Sequence, residues 1–347
     1  MGLSVAIITP WGRNVRCGIR SYSEKLVNAL AQLGVDVYVI RYPRFGFRSP
    51  ELIESCVLDK IPIDKVDVIH HQNEYGLLTP NLEGVLYSRL KQLAKPLVVT
   101  MHAVGSYAID KVVGDVSDKV IVHNEFCARH FQGGKSKVVI IPHGCEPKDV
   151  PPMDECKRAL GIDPRIPVVG YQGFISPPKG VEQLIQAMIG VPEAALLVGG
   201  GWFVGEETQY LMSLKQWSLN VLKGRCQWLD YVPDERLATV YGAMNVFVYP
   251  SRFATESGAL LTALSHGKPT IASNVPPFRE KEKLGALITF RSVEDLKRKI
   301  KRLLKDEALR QRLEEGARKF AEQNSWASVA EKHLSLYKHI LGLDRHG

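Results

Sequence analysis

Four short stretches of this chain hold the residues that could do chemistry. The first is Thr255-Glu256-Ser257-Gly258-Ala259. It lies between an apolar run, Val246–Tyr249, and a helical face made by Leu260, Leu261 and Leu264. A strand–loop–helix unit of this kind places free backbone N–H groups, a positive dipole end and a carboxylate at the carboxyl edge of a parallel sheet. The N–H groups suit a phosphate or sugar oxygen, and the Glu256 carboxylate suits sugar hydroxyls. The plainer reading of the same residues is an ordinary βα turn with a solvated glutamate. The second stretch is Gly173-Phe174-Ile175-Ser176-Pro177-Pro178-Lys179-Gly180, followed by the amphipathic Val181, Leu184, Ile185 and Met188. A lysine at a helix start is placed to neutralise a phosphate, or is a surface lysine. It is not a Walker loop, which needs Gly-x4-Gly-Lys-Ser/Thr. The third is Cys17-Gly18-Ile19-Arg20, where glycine lets a backbone N–H approach an anion and Arg13, Arg16 and Arg20 add positive charge. The fourth is His102, at the end of the apolar run LVVTMH; His70 and His71 end another such run. A histidine there is either a hydrogen-bonded structural residue or a site residue.

These residues need elements to position them. Apolar runs predict strands at Ser4–Ile8, Asp36–Ile40, Val66–His70, Leu97–Met101, Lys119–Val122 and Val138–Ile141. A helix is predicted from Ile19 to Leu33, ended by Gly34. The Pro- and Gly-rich segment Ile141–Pro152 reads as a linker. A second set of strands follows at Pro167–Gln172, Ala195–Val198, Gln227–Leu229, Asn245–Tyr249, Pro269–Ala272 and Leu287–Phe290. Strands alternating with helices imply open parallel sheets covered on both faces. Gly199-Gly200-Gly201 lacks the spacing of a dinucleotide fingerprint and reads as a tight turn. Gly267 is expected at a helix end, and Ser292-Val-Glu-Asp295 as a capping box. Trp326, Val329, Leu334, Tyr337 and Leu341 recur at near-helical spacing, in a segment too short to be its own domain. The expectation is an α/β chain of two doubly wound Rossmann-like domains, residues 1–148 and 149–327, facing across a cleft that holds the site.

Bulk composition narrows the function classes. The 347 residues suffice for two domains, and the 45% apolar and 24% charged fractions are those of a soluble globular protein. No apolar run reaches membrane-spanning length, and residues 1–10 read as a strand rather than a signal peptide. Six scattered cysteines without a Cys-x-x-Cys pair argue against a disulfide framework or zinc site. Neither His-Glu-x-x-His nor Asp-x-Asp appears, so no metal ligand set is expected. A cytoplasmic protein is the expectation. The net charge is +8 without a nucleic-acid-binding signature. Much of it lies on Lys297-Arg298-Lys299-Ile300-Lys301-Arg302, read as a solvated helix face or as a patch for peripheral contact with acidic headgroups at the inner face of a membrane.

In order and spacing, these pieces resemble the GT-B retaining glycosyltransferases, specifically glycosyltransferase family four. The resemblance spans nearly the whole chain: the Gly18-Ile19 helix start, the His102 strand end, the IPHG junction, Gly173-x5-Lys179-Gly180, YVPDERLATVYGAMNVFVYPSR, Gly267-Lys-Pro-Thr-Ile-Ala-Ser273, Glu280 and Ser325-Trp326. It implies transfer of a sugar from a nucleotide sugar, linked to UDP, GDP or ADP, with retained anomeric configuration, no metal and no cofactor. The acceptor, a sugar, lipid-linked or small molecule, would bind the first domain and the donor the second. A C-terminal helix, about residues 328–347, would pack back on the first domain. Residue by residue, Gly18 and Lys179 would hold the diphosphate. Glu256 and the N–H groups of Gly258 and Ala259, with Ser257 beside them, would hold donor-sugar oxygens. Val232 would lie near the base, and His102 beside the transferred sugar.

Three positions depart from the family pattern. Phe174 stands where the family commonly has arginine, so Arg20 or Arg252 would have to replace that cation. The family's two glutamates fall on Ala254 and Thr262, so Glu256 lies two residues after the first. Thr262 offers ribose hydroxyls a neutral partner where a carboxylate binds more strongly. A catalytically weak GT-B binding or scaffold protein, or another sugar-nucleotide enzyme such as an epimerase, are the alternative readings.

Overall fold

Apolar runs bounded by turn residues become strands throughout the computed structural model of this chain, which describes residues 2–11, 18–43, 49–75, 80–201 and 209–343. In the first half these are β1 (Ser4–Trp11), β2 (Asp36–Pro43), β3 (Val68–Asn73), β4 (Leu97–Met101), β5 (Lys119–Val122) and β6 (Val138–Ile140). In the second they are β7 (Val168–Gln172), β8 (Ala195–Gly199), β9 (Cys226–Trp228), β10 (Val246–Tyr249), β11 (Thr270–Ser273) and β12 (Ile288–Phe290). The chain divides into two compact units, Met1–Gly144 with Asn324–Gly347, and Cys145–Gln323.

The first unit is built on a parallel sheet of order β2-β1-β3-β4-β5-β6. Side-chain alternation along β1 sends Val5 and Ile7 to one face and Ala6 and Ile8 to the other. The Val5 face is covered by the helices Gly18–Gln32 and Trp326–Ile340, through Tyr22, Leu26, Leu30, Trp326, Val329 and Tyr337. The strand order reverses between β1 and β3, and in such sheets ligands bind at the carboxyl ends flanking the reversal.

Three strands of this unit, β1, β2 and β3, run past the apolar-run expectation, β2 to Pro43 beyond Ile40. β1 continues past Ile8 because β2 supplies a parallel partner for each further residue, Thr9 to Arg41, Pro10 to Tyr42 and Trp11 to Pro43. β3 runs on through His70, His71, Gln72 and Asn73, all buried. Four consecutive polar residues carry no apolar signal; they stay in the sheet interior because side-chain hydrogen bonds satisfy them.

The second unit has a parallel sheet of order β12-β11-β10-β7-β8-β9, which reverses between β7 and β10. One helix, Gly258–Ser265, follows β10 and is closed at both ends by local chemistry. Ser257 Oγ accepts from the Leu260 N–H at 3.3 Å. At the other end Gly267, with φ +62°, forms the Schellman turn: its N–H reaches Leu264 and the Lys268 N–H reaches Ala263. The segment after Ile141 has no regular element until Met153 and is fastened to this helix: Cys145 Sγ lies 3.3 Å from the Leu261 carbonyl, and the Lys148 N–H donates to Ser265 at 2.8 Å.

The basic segment at 297–302 lies on the helix Val293–Lys305, capped by Ser292 Oγ accepting from the Asp295 N–H at 3.1 Å. Four of its five cations have acidic partners on the same helix or at its end. Lys297 meets Glu294, Arg298 and Lys299 meet Asp295, and Arg302 meets Asp306. These pairs lower the net field of that face, as on a solvated helix. Among the described residues no helix is long and apolar enough to cross a membrane.

Candidate active site

In the second unit, the loops after β7 and β10 meet at the strand reversal. Gly180, with φ +66°, sits so near the Pro250 carbonyl that a Cβ there would stand 2.3 Å from its oxygen. Gln183 Nε2 donates to the same carbonyl at 3.2 Å, and the Arg252 N–H to that of Pro178 at 2.8 Å. A Cβ on Gly173 would lie 3.2 Å from the Ala259 methyl. Tyr241 Oη donates to Gln172 Oε1 at 3.1 Å and approaches the Ala259 carbonyl at 3.4 Å. The start of the Gly258–Ser265 helix is thereby held against the end of β7. On the other side Gly200 packs on Gly173 itself; a Cβ at Gly200, with φ +128°, would fall 1.8 Å from the Gly173 oxygen. The glycine run is a close backbone crossing rather than a nucleotide fingerprint.

Each second-unit site residue can now be placed. Lys179 ends a short 3-10 turn, Pro177–Lys179; its Nζ lies 3.3 Å from Tyr249 Oη and 5.8 Å from that ring's centroid. It is half-buried. Val232 is buried over the carboxyl end of β8, where a Cβ on Gly199 would meet its Cγ2 at 3.0 Å. Gly258 and Ala259 open their helix, so their N–H groups precede the first intrahelical acceptor and remain as donors. Thr262 Oγ1 donates to the Gly258 carbonyl at 2.8 Å, leaving its lone pairs to accept.

Glu256 has a partner that spacing did not disclose. Its Oε1 accepts the Ser257 N–H at 2.8 Å, and its Oε2 lies 2.8 Å from Lys281 Nζ. The two side chains are 7% and 5% exposed, so this is a buried ion pair. Lys281 lies on the helix Pro276–Lys283, 25 residues from Glu256, and no local sequence signal ties the two together. A carboxylate has about four lone-pair directions, so Glu256 can accept further hydroxyls while paired. Arg252 is committed within its loop, donating to the Pro177 carbonyl at 2.7 Å and pairing with Glu182.

In the first unit, Gly18 begins its helix as described; Arg13, Arg16 and Cys17 lie outside the described residues. Arg20 pairs with Glu24 at 3.0 Å, and its guanidinium carbon stands 4.4 Å from the Trp11 ring centroid. Arg41 approaches the same ring at 4.1 Å. His102 follows β4, its N–H donating to the Asn73 carbonyl at 2.9 Å. Its ring lies 3.0 Å from the Gln72 amide and 3.2 Å from His123, and stands edge-on to Tyr22 at 4.8 Å. Tyr22 belongs to the Gly18 helix, so its ring joins that helix to the His102 strand end.

His102 is half-buried and stands among several buried imidazoles of this unit. Burial, and after it the neighbouring imidazoles His123, His143, His70 and His71, pushes its pKa well below the usual histidine value. Burial likewise lowers His70, holds His71 near about 3 and His333 near about 4. These groups are neutral in the folded protein but protonate in the unfolded chain below pH about 6.5. Between that pH and the folded pKa values the unfolded state binds more protons, so stability rises with pH and is lost as pH falls. Each such histidine contributes a slope of about 1.4 kcal/mol per pH unit. Urea unfolding at pH 7.5, 6 and 5 is therefore expected to show a steep loss below pH 6.5. A flat midpoint across that window would show that these rings are not held neutral.

Among the described residues no group of three histidine, cysteine or acidic side chains could hold a metal ion. The second unit thus presents a sheet edge with a lysine, helix-start N–H groups and a paired carboxylate, and the first, by itself, a sheet edge with a cluster of imidazoles.

Residues 152–320 match the family described as "Glycosyl transferases group 1". A D-inositol 3-phosphate glycosyltransferase of Corynebacterium diphtheriae is 26% identical over 231 residues, covering 62% of this chain and 54% of that protein. This chain therefore spans about half the length of that relative. An uncharacterized glycosyltransferase of Methanocaldococcus jannaschii is 24% identical over 347 residues, covering 88% of this chain and 85% of that one. The structure of a sucrose-phosphate synthase from Thermosynechococcus elongatus aligns with a TM-score of 0.81 at 20% identity, over 98% of this chain and 99% of that one. That likeness is one of fold. The architecture, among the described residues two parallel six-stranded sheets each flanked by helices, is the GT-B fold. The match to the group 1 glycosyl transferases thus lies within the second unit and covers just under half of the chain.

Proposed function

We propose that this protein is a metal-independent, retaining transferase of family four that moves a sugar from a nucleotide-sugar donor to a hydroxyl of a sugar, lipid-linked or small-molecule acceptor. One observation carries the reading: Lys179 and the first-turn N–H groups of Gly258 and Ala259 flank one strand reversal, at the carboxyl ends of β7 and β10. Breaking the sugar–phosphate bond builds negative charge on the leaving diphosphate and positive charge on the sugar ring. A lysine and helix-start N–H groups fixed in advance stabilise the diphosphate as its charge grows. Gly18, at a second helix start, serves the same anion in this reading, and Arg20 adds a cation beside it.

Glu256, with Ser257, Gly258 and Ala259, holds donor-sugar oxygens. Val232 borders the base, Thr262 accepts from the ribose, and His102 lies beside the transferred sugar. Retention without a second nucleophile follows a front-face route, in which the leaving phosphate takes the acceptor hydroxyl's proton as the new bond forms.

The test is a thermal-shift panel with UDP-, GDP- and ADP-linked sugars. A ligand that binds only the native state adds RT ln(1 + [L]/Kd), about 2.7 kcal/mol at a hundred times Kd. One nucleotide is expected to raise the midpoint by several degrees and to support transfer to an added acceptor. No shift with any of the three would sink the donor assignment.

A further inference from the structure

The turn that carries Lys179 is fastened to the loop after β10 through its carbonyls. Pro177 and Pro178 precede the lysine, and proline has no N–H, so at those two residues the backbone can be held only by its oxygens. Arg252 takes both. Its backbone N–H donates to the Pro178 carbonyl at 2.8 Å and its guanidinium to the Pro177 carbonyl at 2.7 Å. Within the turn, the Gly180 N–H reaches the same Pro177 oxygen at 3.2 Å. The first of the Arg252 contacts is set by the loop. The second depends on where a long, half-exposed side chain is directed.

Glu182 directs it. It lies three residues after Lys179, in the first turn of the helix Val181–Ile189. Its Oε1 pairs with the Arg252 guanidinium, and its Oε2 accepts from Tyr210 Oη at 2.7 Å. Tyr210 comes from the helix Gln209–Leu222, so the carboxylate is itself held by a second element. One guanidinium thus spans the Glu182 carboxylate and the Pro177 carbonyl. A planar fork of donors suits two acceptors side by side, where lysine offers a single mobile charge. The path closes on itself, from Lys179 to Glu182 along the chain and back through Arg252 to the turn. The Lys179 ammonium, with its one long bond to Tyr249, takes its place from that backbone.

We propose that Glu182 is a positioning residue for Lys179, aiming Arg252 across the Pro177–Lys179 turn so that the ammonium stands where a diphosphate binds. The inference rests on the reading that Lys179 holds the donor diphosphate. It gives Arg252 a part other than that of the missing phosphate cation: Glu182 neutralises its charge, and it acts through the backbone of the turn. A partly exposed ion pair adds little to stability, so loss of Glu182 should show in the site more than in the fold. Displacing a binding group by about 1 Å can cost on the order of a hundredfold in rate.

The test is calorimetric binding of UDP, GDP and ADP to the full chain, with the one that binds carried through a set of variants. Glu182→Ala and Arg252→Lys are each expected to weaken it about tenfold, the second because it keeps the charge and loses the fork. The melting midpoint should fall by about 3 °C or less. Lys179→Ala weakens binding by itself. Adding Glu182→Ala to it should cost less than about twofold more, because a residue that acts only through Lys179 then has nothing left to position. A merely structural role would lower affinity by the same factor in both backgrounds, and that result overturns the inference. So does native affinity in Glu182→Ala. If Glu182→Ala does not fold, Tyr210→Phe, which removes one hydroxyl and leaves the ion pair, is carried through the same cycle. It is expected to lose about threefold in the native background and nothing further beside Lys179→Ala. Equal losses in both backgrounds, or none, again overturn the inference. Native affinity in Lys179→Ala, or a native protein that binds none of the three nucleotides, instead overturns the reading beneath it.

Discussion

Lys281→Met is expected to destabilise the protein by about 3–5 kcal/mol, although it changes no apolar contact of the sheet. It leaves the Glu256 carboxylate, 7% exposed, without its cation 2.8 Å away. The carboxylate keeps the Ser257 N–H, but a neutral donor does not replace an ammonium in a low-dielectric interior. Glu256→Gln should cost a similar amount, because it strands the Lys281 ammonium. The double variant Glu256→Gln with Lys281→Met should recover most of the loss, since a buried pair replaced as a unit is often neutral. Urea unfolding of the two single variants and the double variant measures this as a coupling energy. Single variants within about 1 kcal/mol of the native protein would mean that the pair is hydrated or dispensable. The same pair bears on the reaction. It holds the loop that precedes Gly258 and Ala259, so the recovered double variant should fold well and still bind the donor poorly.

Lys179→Ala is expected to act in the opposite sense, sparing the fold and removing the chemistry. Its Nζ makes one long hydrogen bond, 3.3 Å, to Tyr249, so the stability loss should stay near about 1 kcal/mol. In the transition state the same ammonium would face a diphosphate gaining charge. Loss of one such fixed donor costs about a hundred- to a thousandfold in rate. Arg252 cannot stand in, since Glu182 already neutralises it and the Pro177 carbonyl holds it in the loop. Steady-state kinetics with the donor found in the nucleotide panel, together with a melting curve, would check both halves. A Lys179→Ala protein with native kcat/KM would move the phosphate site elsewhere; one that fails to fold would make Lys179 structural.

The twelve strands among the described residues were legible in position, because a buried parallel strand is an apolar run between turn residues, a pattern local to a few positions. So were the Ser292 cap and the Gly267 turn, where one side chain or one positive φ satisfies a helix end. The order of these elements, with Lys179 after β7 and Ser257-Gly258-Ala259 after β10, placed the candidate residues at strand ends. Sequence by itself therefore determined the fold class and the sheet edge on which each candidate lies. Tertiary structure decided what those residues touch. That Glu256 meets Lys281, that Arg252 is claimed by Glu182, and that the His70 strand runs on, buried, through Gln72 and Asn73 all depend on segments far apart in the chain. Tyr337 reaches His70 across 267 residues. The physical reason is that periodicity and capping are settled within one or two turns of chain. The partner of a buried charge or imidazole is settled only when distant backbones take their register, since the cost of leaving such a group unpaired appears only once water has been excluded.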